Sequence, residues 1–254
     1  MNFTFGIITN HSNINRTILS IEKLNMPIYE IIIVGGQYPE TSIIKHIPFD
    51  ESIKPNWITR KKNLICQKAK YDNIVLLHDY IELCEDWYTG FIKFGNDFDI
   101  CVSKILNKND TRFRDYTIFP STNSHFTKRT LIPYDYPPSI KLSKILYISG
   151  SYYIIKKQIA LQFQLDERLI WGDGEDVLLT KQLINNNIII KCNSYSTIKF
   201  LKYKNPQSWE NILTNEDIIQ FESLSDNEIE CMHQAQCNEL KRHIFQNRNI
   251  TLYI

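Results

Sequence analysis

Residues 3–36 read FTFGIITNHSNINRTILSIEKLNMPIYEIIIVGG. The run over 3–9 is apolar and of strand length, and Asn10-His11-Ser12-Asn13 supplies loop and helix-cap chemistry. Ile14, Ile18, Ile21 and Leu24 recur at helical spacing until Pro27, and Tyr29 to Val34 forms a second continuous apolar run closed by Gly35-Gly36. Strand, helix and strand in succession predict a βαβ unit and a parallel sheet. Ligands of such sheets bind beyond the carboxyl ends of the strands, here near Thr9-Asn10 and Gly35-Gly36. The segment between the first strand and helix holds neither G-x-G-x-x-G nor a Walker A loop, which counts against a nicotinamide dehydrogenase and a P-loop phosphotransferase.

Residues 40–56 are polar and irregular, and Trp57 to Lys70 predicts a helix with Arg60, Lys61 and Lys62 in its opening turns. Asn73 to Leu77 predicts a third buried strand, running into His78-Asp79-Tyr80. A carboxylate at such a strand end either holds a metal or a sugar hydroxyl or caps the next turn. A helix from Asp86 to about Phe94 and a strand from Phe98 to Ser103 follow. Residues 107–144 are irregular, aromatic and proline-rich, including Asp110, Arg112, Arg114, Asp115, His125, Lys128 and Arg129. A connection this long suits a lid or binding loop or else a disordered surface insertion, against which its aromatics argue, and aromatic planes among charges suit sugar recognition.

Ile145 to Ile155 predicts one strand interrupted by Ser149-Gly150-Ser151, the glycine marking a bulge or a close ligand approach. Lys156 to Phe163 predicts a short helix. Next comes Trp171-Gly172-Asp173-Gly174-Glu175-Asp176-Val177-Leu178-Leu179, with three carboxylates in four positions before an apolar helical run. Crowded acids raise one another's pKa and can supply a general base; acids also complement the first turn of any helix. A helix to about Ile184, a turn over 185–187 and a strand over 188–192 follow, then Lys199, Lys202 and Lys204, which either form a solvated face or neutralise phosphate. Beyond Pro206 the pattern predicts helices near 209–213, 216–224 and 226–245, then an apolar end.

The 254 residues are 43% hydrophobic and 22% charged, enough for one large α/β domain with a core. A net charge of +1 gives no global reason to expect nucleic acid as a partner. The cysteines (66, 84, 101, 192, 231 and 237) form no C-x-x-C pair, so zinc ligation and a disulfide framework are not expected. The N-terminus is too short and polar for a signal peptide, and no run reaches membrane-span length. A soluble cytoplasmic protein is expected, and the N-x-[ST] sequons at Asn2, Asn15, Asn109 and Asn249 read as products of Asn-rich composition.

The order of these elements resembles the nucleotide-sugar-binding half of GT-A glycosyltransferases, particularly the family 2-like group. The resemblance rests on the strand ending in Thr9-Asn10, the helix with R-K-x-N (Arg60, Lys61, Asn63) and the strand IVLLHDYIEL over 74–83. WGDGEDVLL resembles both the E-D motif of family 2 enzymes and the W-G-x-G-x-E-D stretch of galactosyltransferase-type enzymes. The resemblance implies a Rossmann-like α/β fold, a mostly parallel central sheet flanked by helices, and a helical C-terminal tail. It implies a catalytic domain over 1–205, with a nucleotide-sugar half (1–105) and an acceptor half (106–205), and a packed extension over 206–254 that could mediate self-association. It further implies an inverting transferase using a nucleotide-diphosphate sugar, UDP-linked in the first instance, and a hydroxyl acceptor. Asp176 would be the base and Glu175 its partner. Thr9, Asn10, Gly35, Gly36, Arg60, Lys61, His78, Asp79 and Lys199 would face the donor, and Trp171, Gly172 and Gly150 the acceptor. The family's D-x-D window reads His78-Asp79-Tyr80 here, leaving Asp79 as the one carboxylate for Mn²⁺ or Mg²⁺. A non-catalytic sugar- or nucleotide-binding module on the same scaffold is the alternative reading.

Overall fold

The computed structural model describes residues 1–10, 14–119, 129–205, 211–252 and 254. The opening stretch forms β1 (Phe3–Ile8), α1 (Asn15–Glu22) and β2 (Tyr29–Val34), and β3 (Ile44–Ile47) follows. These three strands are parallel, with Phe3 opposite Tyr29 and Ile31 opposite Ile44. The next helix, α2 (Ile58–Lys68), leads into β4 (Asn73–His78), which pairs in parallel with the other edge of β1. With β2 on one side of β1 and β4 on the other, sheet growth reverses at β1. A crevice opens there, beyond Ile8 and His78.

The chain continues through β5 (Ile81–Leu83), α3 (Asp86–Phe94), β6 (Ile100–Leu106), β7 (Thr117–Ile118), β8 (Thr130–Leu131), α4 (Ile140–Ser143) and β9 (Leu146–Tyr147). It ends with β10 (Tyr152–Lys156), α5 (Lys157–Gln162), α6 (Glu175–Asn185), β11 (Ile190–Phe200), β12 (Asn211–Ile212), α7 (Asn215–Ser223) and α8 (Asp226–Arg248). The large sheet runs β3-β2-β1-β4-β10-β6-β11-β5, and a small one runs β12-β8-β7-β9. Four of the seven neighbouring pairs in the large sheet are parallel, the expected mostly parallel arrangement.

Alternate residues of the apolar strands enter two cores. Phe3, Phe5, Ile7, Val75 and Leu77 pack with Ile18, Ile21, Trp87 and Phe91 of α1 and α3. Ile8, Ile74 and Leu76 pack with Ile65 of α2 and with Leu179 and Leu183 of α6. Strands covered on both faces must be apolar at every position, which is why these runs do not alternate. A third cluster, including Leu169, Val177, Leu178, Leu240 and Ile244, seats α8 on α6. Among the described residues, no helix is long and apolar enough to cross a membrane.

Several expectations are corrected. The single strand over 145–155 is two strands, β9 and β10, in different sheets. The break falls at Gly150, whose carbonyl accepts from Lys62 and whose N–H donates to Asp176, so its peptide groups leave the ladder. The irregular 107–144 stretch contributes β7 and β8 to the small sheet, while His125, Lys128 and the loop residues 11–13 lie outside the described residues. The helix expected over 209–213 is, where described, the strand β12 paired with β8. The strand expected over 188–192 extends to Phe200, with a register shift between Asn193 and Thr197.

That shift is packed against α3. Asn193 Nδ2 donates to Ser196 Oγ at 2.8 Å, Ser196 Oγ donates to the Trp87 carbonyl at 2.7 Å, and a Cβ on Gly90 would lie 2.3 Å from the Tyr195 carbonyl oxygen. Replacing a helical glycine by alanine ordinarily stabilises by up to about 1 kcal/mol. Here the backbone contact reverses the sign: Gly90→Ala is expected to destabilise by about 1–3 kcal/mol, read as a lowered denaturation midpoint.

Candidate active site

Two connected clefts lie at the carboxyl ends of β1 and β4. The smaller, about 270 Å³, is lined by Thr9, Asn10, Lys61, His78 and Asp79 among others. The larger, about 540 Å³, is lined by Gly150, Glu175 and Asp176, by Arg114, Arg129 and Tyr147 from the small-sheet region, and by Glu239, Leu240 and His243 of α8. His78, Tyr80, Trp171 and Lys204 border both.

At the first cleft, Thr9 Oγ1 donates to Asp79 Oδ2 at 2.6 Å and Thr17 Oγ1 donates to the Asp79 carbonyl at 2.9 Å. These bonds fix the turn after β4 against the end of β1 and against α1. Lys61 Nζ donates to the Thr9 carbonyl at 2.7 Å and pairs with Glu51. Gly35 backs this junction, and His46 Nε2 lies within 3.3 Å of the Gly35 and Gly36 carbonyls; neither glycine lines a cleft. His78 is buried beside cations. Burial and then Lys62, Lys204, Lys202 and Lys61 push its pKa well below the ordinary value, so it is a neutral hydrogen-bonding group at pH 7.

Successive residues of α2 point to different partners. Arg60 pairs with Glu167 at 3.0 Å, and Asn63 exchanges bonds with the Leu165 backbone. These two hold the segment before Trp171, and Arg60 lines neither cleft. Lys62 is buried, and its ammonium donates to the Gly150 carbonyl at 2.6 Å. Lysine 199 also stands apart: it pairs with Asp110 at 2.6 Å, and the two lysines that follow β11 line the clefts instead.

The Trp171 stretch turns before α6. Asp173 Oδ2 accepts from the Ile170 N–H, and both oxygens accept from Arg248 Nε at 2.9 and 2.8 Å, tying the end of α8 to this turn. Asp173 therefore serves this turn and its tie to α8. Asp176 Oδ2 accepts from the Gly150 N–H and Oδ1 from the Val177 N–H, both at 2.8 Å. A Cβ on Gly150 would lie 2.9 Å from Glu175 Oε1 and 3.0 Å from Asp176 Oδ2, so the backbone approaches the acidic pair as only glycine permits. Glu175 is buried; its pKa is pushed up to about 7, first by desolvation and then by the Asp176 charge, with Lys62 opposing. The site therefore places a carboxyl that holds its proton near neutrality beside a carboxylate fixed by two N–H bonds.

The donors near Asp79 do not fit a divalent cation. Asp79 is a single carboxylate already bonded by Thr9, the next residue is Tyr80, and the ammonium groups of Lys202 and Lys204 lie 3.8 and 4.3 Å from the Tyr80 ring centroid. Among the described residues no three His, Cys, Asp or Glu side chains gather as metal ligands. Among the described residues, the Mn²⁺ or Mg²⁺ expected at Asp79 thus meets the ammoniums of Lys202 and Lys204, and the other carboxylate lining this cleft, Glu51, is already paired with Lys61.

Several site residues were not singled out from sequence. Tyr80 and Lys62 were missed, although Tyr80 lies in the strand-end tripeptide and Lys62 in the basic helix. The α8 residues gave no signal beyond helical periodicity.

The chain has the GT-A glycosyltransferase fold, with a large mixed sheet, flanking helices and a C-terminal helix. Solved structures agree. GalNAc-T7 with UDP, GalNAc and Mn²⁺ superposes with a TM-score of 0.58 at 12% identity, over 98% of this chain and 51% of that one. Staphylococcus aureus TarS 1–349 gives 0.54 at 13% identity, over 97% and 74%, and its complex with UDP gives 0.52 at 15% identity, over 97% and 72%. The chain thus spans about half of the GalNAc-T7 structure and about three quarters of the TarS 1–349 structure. No protein-family model and no curated protein matches the sequence.

Proposed function

We propose that the protein is an inverting, family 2-like glycosyltransferase that moves a hexosyl group from a nucleotide-diphosphate sugar, UDP-linked in the first instance, to a hydroxyl acceptor. The observation that carries this reading is the acidic pair Glu175-Asp176 facing the larger cleft, which joins the smaller one at the crevice between β1 and β4. The UDP in the GalNAc-T7 and TarS structures supports a nucleotide ligand for this fold, and the smaller cleft at the carboxyl ends of β1 and β4 is the place we assign to it. Thr9, Asn10, Lys61, His78 and Asp79 would hold that nucleotide, and Trp171, exposed where the clefts meet, would offer its ring to a sugar face.

In the reaction, the acceptor hydroxyl oxygen attacks the anomeric carbon as its proton passes to a carboxylate oxygen of Asp176. The bond from that carbon to the diphosphate oxygen breaks on the opposite face, and the nucleoside diphosphate leaves with the electron pair. Protonated Glu175 donates a hydrogen bond that orients the acceptor. Glu175, raised to about 7 by desolvation and then by the Asp176 charge, keeps its proton to higher pH than an ordinary carboxyl and so can act as the donor of the pair.

A panel of nucleotide sugars tests the reading by thermal shift and by release of nucleoside diphosphate. At least one donor is expected to stabilise the fold, by about 2.7 kcal/mol at one hundred times its Kd, and to turn over when hydroxyl acceptors are added. Stabilisation without turnover under any acceptor would favour the binding module, for which the single carboxylate at the strand end speaks.

A further inference from the structure

We propose that the smaller cleft binds the donor's diphosphate through ammonium groups in place of a divalent cation, with Lys204 and Lys202 as its ligands and Asn107 as the positioning residue for Lys204. This inference rests on the nucleotide-sugar reading above and adds the means by which the leaving group's charge is met.

The two lysines reach the cleft because the chain after β11 is pinned to the turn after β4. The Leu201 N–H donates to the Tyr80 carbonyl at 2.8 Å, and both ammonium groups settle over the Tyr80 ring, beside Asp79 and His78. The backbone of Lys204 is clamped. The buried Asn107 side chain accepts from the Lys204 N–H at 2.8 Å and donates to its carbonyl, while the Asn107 N–H is itself held by the Thr111 carbonyl at 2.7 Å. A side-chain amide spent on both backbone polar groups of one residue sets the place from which a single lysine starts.

The clamp holds positive charge where positive charge already stands. Burial, then Lys202 and Arg114, lower the Lys204 pKa to about 8, with Asp79 opposing. Like charges crowded at a cleft rim are costly when the cleft is empty and favourable when it holds an anion. Lysine ammoniums act as point charges with three donors each, suited to phosphate oxygens that present many geometries. Held before the reaction, they also meet the charge that grows on the diphosphate as its bond to the sugar breaks. A divalent ion at Asp79 would have to stand among these same ammoniums, and its affinity would fall accordingly.

Calorimetric titration of the full chain tests this, using whichever of UDP, GDP, CDP and ADP binds best, its monophosphate, and inorganic pyrophosphate, each in EDTA and in Mn²⁺. The diphosphate is expected to bind in EDTA with Mn²⁺ changing Kd by less than about 3-fold, and Lys204→Met to weaken it by about 10-fold or more while sparing the monophosphate. Asn107→Ala should weaken the diphosphate alone in the same direction, which a general loss of structure would not do. Binding at pH 8 should take up protons in the wild type and not in Lys204→Met, because the diphosphate restores the ammonium. Diphosphate binding that requires Mn²⁺ and ignores Lys204→Met would overturn the clamp and leave the transferase reading standing. A folded wild type that binds no diphosphate in either condition would sink both.

Discussion

Asp176→Asn is expected to lower kcat for transfer by about 10² to 10⁴, the range that a positioned general base contributes. Binding of the nucleoside diphosphate should be unchanged, because Asp176 stands in the larger cleft and the nucleotide is assigned to the smaller. The substitution keeps the shape of the side chain and one acceptor oxygen. It turns an amide towards either the Gly150 or the Val177 N–H, both of which now donate to the carboxylate. One backbone donor loses its partner, a cost of about 1–3 kcal/mol. The relief of charge on buried Glu175 offsets part of that. Single-turnover rates with saturating donor and acceptor separate chemistry from binding. If the asparagine variant transfers at the wild-type rate, the base lies elsewhere, and Glu175 becomes the next candidate.

Glu175→Gln is expected to raise stability at pH 8 by about 3 kcal/mol, and by progressively less as the pH falls. The sign follows from the direction of the shift. The folded-state pKa of Glu175 is raised from the usual 4.5 to about 7, so the folded protein binds the proton more tightly than the unfolded chain. The stability from that proton is complete below pH 4.5 and is lost as the pH rises through 7. A glutamine has no proton to lose, so the difference between variant and wild type grows across this window and levels off above it. Scanning calorimetry at intervals between pH 4.5 and 8.5 reads it directly. Parallel transfer assays should show an alkaline limb near pH 7 in the wild type that disappears in Glu175→Gln, since the glutamine amide still donates to the acceptor. A gap in melting temperature that stays constant with pH would mean that the Glu175 carboxyl ionises as if hydrated, and its assigned role would fall.

The path from chain to site depends on a few residues whose partners are remote. Buried Lys62 places its ammonium on the Gly150 carbonyl, while the Gly150 N–H holds Asp176, so one glycine joins the basic helix to the acidic pair. The C-terminal helix is joined to the same region by Arg248 on Asp173 and by Leu240, whose Cδ1 would lie 3.0 Å from a Cβ on Gly174. The tail, expected from the sequence as a packed extension over 206–254, therefore helps wall the larger cleft.

The layered α/β architecture is legible in the order of residues. The unbroken apolar runs of β1, β2 and β4 require cover on both faces, and the spacing of Ile14, Ile18 and Ile21 places a helix between the first two. That order also sets the acidic pair at the start of α6, because turn glycines and crowded carboxylates are local features. Which charge meets which depends on how the elements pack. Arg60, Lys61 and Lys62 are consecutive, yet they reach Glu167, Thr9 and Gly150, because neighbouring positions on a helix point about 100° apart. The division of 145–155 into two sheets depends on Lys62, 88 residues away, and on Asp176, 26 residues away. Lys199 and Lys204 looked alike in sequence. The pairing of β11 commits the first to Asp110, and Asn107 delivers the second to the cleft. Periodicity encodes which face of an element is buried, whereas a side chain's partner depends on where a distant element comes to lie, and that is settled only when the sheets and helices pack.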